Sequence, residues 1–130
     1  MLLKNSLYTI EKLEKPMEGV GGSFLLRLHP DHVIYQAHFP GEPITPGVCI
    51  VQIGKELMEE LVGKSLEVAR VKNVKFLSVI SPMDTTSITY AFRKLEWSAD
   101  GTEVKTQIVV TSGEEAKAKI SLGLRVVANL

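Results

Sequence analysis

The sequence predicts an α+β domain in which an antiparallel sheet wraps one central helix. Three observations carry that expectation. Only one segment, residues 47–61, has extended helical spacing, and its first half is apolar on nearly every side. Most of the remaining chain alternates apolar and polar side chains with a period of two. Turn signals separate the alternating stretches.

Residues 7–13 read as the first strand. After the Glu18-Gly19-Val20-Gly21-Gly22 turn, Phe24, Leu26 and Leu28 alternate with Ser23, Leu25 and Arg27, the mark of a half-buried strand, which His29-Pro30 ends. In the helix, Val48, Ile50, Val51, Ile53, Leu57, Met58 and Leu61 are apolar, whereas Lys55, Glu56, Glu59 and Glu60 form a wet face in the second half only. The helix therefore starts buried and emerges later, with Gly63 as its stop. Glu56 lies one turn on from Gln52 on the same side, and as the start of the wet face it is expected to be solvated.

The second half is β by pattern. Residues 68–76 alternate with a phase slip near Asn73, which predicts a bulge. Ile88, Tyr90 and Phe92 define one face of the next strand, and Val104, Thr106, Ile108 and Val110 a face of the one after. Ala116, Ala118, Ile120, Leu122, Leu124 and Val126 define a long last strand. Asp100-Gly101 and Gly113-Glu114 supply the turns between them.

Length and composition bound the function. At 130 residues and 45% hydrophobic, residues 1–130 are expected to form one domain with a real core. Fifteen basic and fifteen acidic side chains cancel, so the overall field steers toward neither nucleic acid nor an anionic membrane. No apolar run approaches the roughly 18 residues that a membrane span needs, and Met1-Leu2-Leu3-Lys4 lacks a signal-peptide layout, so a cytoplasmic location is expected. The single cysteine, Cys49, sits in an apolar stretch and reads as a small buried thiol. His29 and His32 have no third ligand at a suitable spacing, and no metal is expected.

The chemistry concentrates in His38-Phe39-Pro40-Gly41-Glu42-Pro43-Ile44-Thr45-Pro46-Gly47-Val48. Three prolines and two glycines in eleven residues stiffen a loop that carries an imidazole into a helix start, with Pro46 expected at the first helical position. A histidine facing free amides can deprotonate carbon next to a carbonyl and hold the resulting oxyanion. A rigid loop whose histidine only bonds backbone is the competing reading.

This loop resembles that of the FabZ/FabA family of 3-hydroxyacyl-acyl carrier protein dehydratases, H-F-x-G-x-P-x-x-P-G-V/C followed by an acid on the central helix. Every loop position matches, but the acidic position, fourteen after His38, is Gln52. A later stretch, Phe76-Leu77-Ser78-Val79-Ile80-Ser81-Pro82-Met83-Asp84, loosely resembles the family's Phe-x-x-x-Val-x-Pro-Gly-Asp. The resemblance implies the hot-dog fold, in which an antiparallel β-sheet wraps one α-helix. It implies His38 as the base, the Gly47 amide as the donor to the thioester oxygen, and the Val48 carbonyl as the acceptor that fixes the imidazole tautomer. Phe39, Gly41, Pro46 and Val48 then line the substrate. It further implies a homodimer or a larger assembly of such dimers, with a substrate tunnel at the dimer interface where His38 of one chain faces Gln52 of the other, and a substrate carried on the phosphopantetheine arm of acyl carrier protein, with no cofactor. Arg70, Lys72 and Lys75, with Arg93 and Lys94, are the basic residues expected at the tunnel rim where an acidic carrier could dock; outward-facing strand residues are the alternative.

Gln52 leaves two readings. An amide donates a hydrogen bond but no proton, so either Gln52 orients the hydroxyl or a water while His38 carries the proton across, or the chain has lost the dehydration step and binds acyl groups, or it is the partner subunit of a dehydratase. A hot-dog thioesterase is the third possibility, disfavoured by the lack of an acid in the first turns of the helix.

Overall fold

The computed structural model describes residues 2–15, 21–37 and 41–129. Six strands, β1 (Tyr8–Glu14), β2 (Gly22–Leu28), β3 (Lys64–Phe76), β4 (Ser87–Trp97), β5 (Glu103–Ser112) and β6 (Glu115–Asn129), form one sheet. Their order is β1-β2-β4-β5-β6-β3, and every neighbouring pair is antiparallel. Among the described residues two helices interrupt the strands, α1 (Val33–Ala37) and α2 (Gly47–Val62). The predicted sheet around one long helix is the observed architecture; the five-residue α1 has no counterpart in the sequence reading, being too short to show a period.

Alternation places the core as expected. Phe24, Leu26 and Leu28 of β2, Ile88, Tyr90 and Phe92 of β4, Val104, Ile108 and Val110 of β5, and Ala118, Ile120, Leu122 and Leu124 of β6 are all buried. The anticipated slip near Asn73 is present as a register shift between Val71 and Asn73, and β3 carries two more, at Ser65/Leu66 and Val68/Arg70. At Asp100-Gly101, the Asp100 carboxylate accepts from Ser98 Oγ, Thr102 N and Thr102 Oγ1, which hold its pKa down at about 2.

Helix α2 buries Cys49, Ile50, Ile53, Gly54, Leu57 and Met58 against the sheet. It lies close because position 54 has no side chain: a Cβ there would stand 3.0 Å from Ile108 Cδ1. Tyr90 of the sheet donates its hydroxyl to the Ile50 carbonyl at 2.8 Å. The helix ends where predicted, with Gly63 in the left-handed conformation (φ 69°) and its N–H on the Glu59 carbonyl.

One helical residue departs from expectation. Glu56 is 3% exposed rather than solvated. Its carboxylate accepts from the Leu3 and Lys4 amides at 2.8 Å each, from the Tyr8 hydroxyl at 2.9 Å and from Gln52 Nε2 at 2.9 Å. The N-terminal segment thus folds over the helix and supplies the donors that water would have provided.

Two consequences are measurable. Ile53 is fully buried, so Ile53→Ala should lower unfolding stability by about 2–5 kcal/mol in urea titration. Burial, and at Tyr8 also the charge of Glu56, pushes the pKa of Tyr8 and Tyr90 above the usual phenol value. A raised folded-state pKa contributes stability that is whole below the unfolded value of 10.0 and is lost as pH rises past it. Denaturation midpoints should therefore fall above that pH, and Tyr8→Phe or Tyr90→Phe should flatten the fall.

Candidate functional site

The start of α2 is anchored by contacts that converge on Thr45 and Pro46, in the loop before it. Thr45, buried, donates its amide to the Ile80 carbonyl at 2.8 Å, and its hydroxyl lies 2.9 Å from the Tyr35 hydroxyl. Thr45 therefore pins the loop at once to α1 and to the connection between β3 and β4. Pro46 then stands as the N-cap, with extended backbone (φ −62°, ψ 146°), and its carbonyl accepts from Cys49 and Ile50 at 3.0 and 3.1 Å. This corrects the expectation that Pro46 is the first helical residue. That place belongs to Gly47, whose amide, with that of Val48, has no helical carbonyl behind it.

Gly47 faces Phe76 at the end of β3. A Cβ at position 47 would lie 2.7 Å from Phe76 Cζ and 2.9 Å from Cε2, so only glycine lets the ring rest on the helix start. The loosely matching stretch from Phe76 to Asp84 is thus placed beside the loop motif in space. Around it, Val48, Phe76, Leu77, Val79 and Met83 are exposed apolar side chains. A cleft of about 310 Å³ runs between the two connections, lined by Gly41, Glu42, Pro43 and Ile44 on one side and Val79, Ser81, Met83 and Asp84 on the other. Thr45, Tyr35 and Phe76 position the site, and no local motif marks the first two, because their partners lie far along the chain.

His38 and Phe39 lie outside the described residues, so the expected base, its tautomer and its contact with the Val48 carbonyl carry no geometry here. Gly41 is exposed at the mouth of the cleft. Gln52 is half-buried on α2, five residues past Gly47, and its amide nitrogen donates to Glu56. Cys49 is buried, and burial pushes its thiol pKa up, as suits a packing residue.

Arg70, Lys72 and Lys75 on β3 and Arg93 and Lys94 on β4 are all exposed. Lys72 lies among like charges: Lys105 first, then desolvation and Arg70, push its ammonium pKa down. Lys72, Lys94 and Lys105 line one shallow groove of about 170 Å³. His29 and His32 have local work instead, His29 Nε2 lying 2.6 Å from Thr9 Oγ1 and His32 Nδ1 accepting from the Ile34 amide. Among the described residues no group of three or more His, Cys, Asp or Glu is arranged to hold a metal ion, and no helix is long and apolar enough to cross a membrane.

Comparison with known proteins places this geometry. A family model described as ApeI-like, ApeI dehydratase, matches residues 18–116. The 3-hydroxyacyl-acyl-carrier-protein dehydratase FabZ of Latilactobacillus sakei subsp. sakei is 30% identical over 93 residues, 66% of this chain and 64% of that relative, so the match spans less than two-thirds of its length. Among solved structures, the dehydratase heterocomplex ApeI:P from Xenorhabdus doucetiae aligns with a TM-score of 0.65 at 18% identity, covering 90% of this chain and 96% of that one. A hypothetical thioesterase with coenzyme A from Streptococcus pneumoniae aligns at 0.62 and 12% identity, covering 94% and 90%. Both structures share the hot-dog fold described above. A loop motif running into a glycine-started helix, carried on that fold and matched by the family model over most of its length, means that the chain belongs to the ApeI-like dehydratases of the FabZ/FabA-like hot-dog family.

Proposed function

We propose that this chain dehydrates a 3-hydroxyacyl thioester of acyl carrier protein to the trans-2-enoyl thioester, in fatty-acid or related lipid or polyene synthesis. The observation that carries the reading is the helix start, where a motif histidine nine residues earlier in the sequence leads into Gly47, whose amide opens α2 beneath an exposed apolar surface. His38 takes the proton from the carbon next to the thioester, the Gly47 N–H stabilises the oxygen that gains charge, and the departing hydroxyl leaves on the Gln52 side. The cleft and its apolar neighbours suit an acyl chain, and the basic side chains of β3 and β4 suit an acidic carrier. The reaction needs no cofactor, and the carrier protein's cytoplasmic setting would be its place.

A second copy completes the site in this reading. Strand β3 is a sheet edge, with Val68, Val71 and Phe76 exposed along it. An unpaired edge bearing apolar side chains favours pairing with another such edge, which supports a dimer with His38 of one chain facing Gln52 of the other.

One observation favours a second reading, that of a partner subunit in a dehydratase. The helix offers an amide at position 52, and the carboxylate bonded to it, Glu56, is engaged by four donors rather than available to protonate a hydroxyl. The same occupancy argues against a thioesterase, which needs a carboxylate to attack or to activate water.

Hydration of a crotonyl or longer 2-enoyl thioester, followed as loss of enoyl absorbance, tests the assignment. Wild type should be active, and His38→Ala should remove the activity while the dimer persists; retention of most of the rate would exclude His38 as the base. Gly47 calls for a paired comparison. Gly47→Ala and Gly47→Pro both press on Phe76, but only the proline deletes the N–H. Proline suits the first helical position, so a rate about 100–1,000-fold below that of the alanine variant is expected, and equal rates would place the oxyanion elsewhere. Wild type that binds acyl-carrier substrates of several chain lengths without turnover would favour the partner-subunit reading.

A further inference from the structure

Lys117 is a buried cation that packing does not explain. Strict alternation would send it to the outer face of β6 with Glu115 and Lys119. A β-bulge re-aims it: Thr111 pairs with Ala116 and Val110 with Ala118, so Lys117 is the extra residue that the pairing with β5 passes over. The connection from β3 to β4 lies against it, and the residue is 8% exposed. Burying an ammonium is costly unless its N–H groups are met, and an apolar side chain of similar length would fill the space without that cost. At Lys117 they are met by Glu115 Oε1 at 2.5 Å, the Val79 carbonyl at 3.0 Å and Ser78 Oγ at 3.4 Å. Ser78 Oγ in turn donates to Glu115, and the Lys117 carbonyl accepts from the Leu77 and Ser78 amides at 2.9 and 3.3 Å.

These contacts all fall on one wall of the cleft. Lys117 holds peptide groups of residues 77 to 79, and the next carbonyl, that of Ile80, is held by the Thr45 amide at 2.8 Å. Between the two anchors stands Val79, exposed and lining the cleft opposite Gly41, Glu42, Pro43 and Ile44. A connection held by few bonds opens locally at little cost. Here the ammonium and the Lys117 carbonyl fix how far Val79 stands from the loop before α2.

We infer that Lys117 is a positioning residue which, through the Val79 carbonyl, sets the width of this cleft and with it the affinity for the far part of a long acyl chain. This rests on the reading of the cleft as the acyl site. Ile80 is buried and tied to Thr45 without Lys117, so the start of α2 keeps its place when the ammonium is removed. Loss of the ammonium therefore weakens binding of the chain and leaves the chemistry at the thioester alone, which separates KM from kcat.

The test measures binding of saturated dodecanoyl and butyryl pantetheine thioesters, which cannot be hydrated, and follows hydration of the crotonyl thioester alongside. Lys117→Met keeps the length of the side chain and deletes the ammonium. Its Kd for the dodecanoyl thioester should rise about tenfold, the effect of about two methylene groups losing their apolar wall. Its Kd for the butyryl thioester and its kcat on the crotonyl thioester should stay within about twofold of wild type. Lys117→Arg, which keeps a charged donor, should bind the dodecanoyl thioester within about threefold of wild type. In a Val79→Ala background, Lys117→Met should add little, because its influence passes through Val79. Equal weakening at both chain lengths, a wild-type dodecanoyl Kd in folded Lys117→Met, or additive losses in the cycle would overturn the inference, as would a wild type that binds neither thioester. If Lys117→Met does not fold, the wild-type Lys117 ammonium signal in a nitrogen–proton correlation spectrum, assigned by its loss in Lys117→Arg, decides. A protected signal that shifts with the dodecanoyl but not the butyryl thioester upholds the inference, and a freely exchanging or unresponsive one overturns it. A wild type inert toward every enoyl thioester, yet binding the dodecanoyl thioester in a Lys117-dependent way, would sink the dehydratase reading alone and leave the role of Lys117 in place.

Discussion

A carboxylate buried in the middle of the long helix α2 is the constraint around which the rest of this structure is arranged. Removing a charge from water costs several kcal/mol unless its lone pairs are met. At Glu56 they are met by two backbone amides of the N-terminal segment, a tyrosine hydroxyl from β1 and a side-chain amide from the helix itself. That set of donors forces the segment before β1 across the helix, closing the end of the layer that β1 borders. Leu3, Leu7 and Tyr8 are buried in consequence. The same carboxylate then reaches one turn back to Gln52, so a single ion links the closure of the core to the residue expected to face the substrate.

The fold was largely legible because alternation and helical spacing are local. The buried faces of β2, β4, β5 and β6 follow the period of two, and α2 runs from Gly47 to Val62 with Gly63 as its left-handed cap. Glu56 was misread for an instructive reason. Its position, seven after Cys49 and three after Ile53, lies on the buried stripe, but its chemistry argued for water. Periodicity and residue type disagreed, and the deciding facts were donors 48 to 53 residues away. Pairings at such separation leave no trace in local spacing. The five-residue α1 was missed for the opposite reason, being too short to show a period at all.

The candidate site shows the same division. The loop motif and the glycine at the helix start could be read directly, since proline and glycine act on the backbone they occupy. What turns the loop into a fixed platform could not. Thr45 is held by the Ile80 carbonyl and by Tyr35, and Gly47 is covered by the Phe76 ring, contacts that join the loop to the β3–β4 connection and to α1. The loose match at Phe76 to Asp84 was a fragment of this second wall, in which Phe76 covers Gly47 and the Ile80 carbonyl holds the Thr45 amide.

Position 52 is best understood from its neighbour rather than by itself. In isolation, glutamine where an acid is expected reads as a loss, since an amide gives up no proton. Beside a carboxylate already committed to the architecture, it reads differently. A second carboxylate there would face Glu56 at hydrogen-bond distance, and one of the two would have to hold a proton or move out into solvent. Either change would disturb the bonds from Leu3, Lys4 and Tyr8 that close the core. An amide avoids the conflict and gains a fixed orientation from it, with its nitrogen toward Glu56. The ion that stabilises this end of the fold therefore also limits what can stand at position 52, where a carboxylate would have to hold a proton or leave the contact that the amide makes.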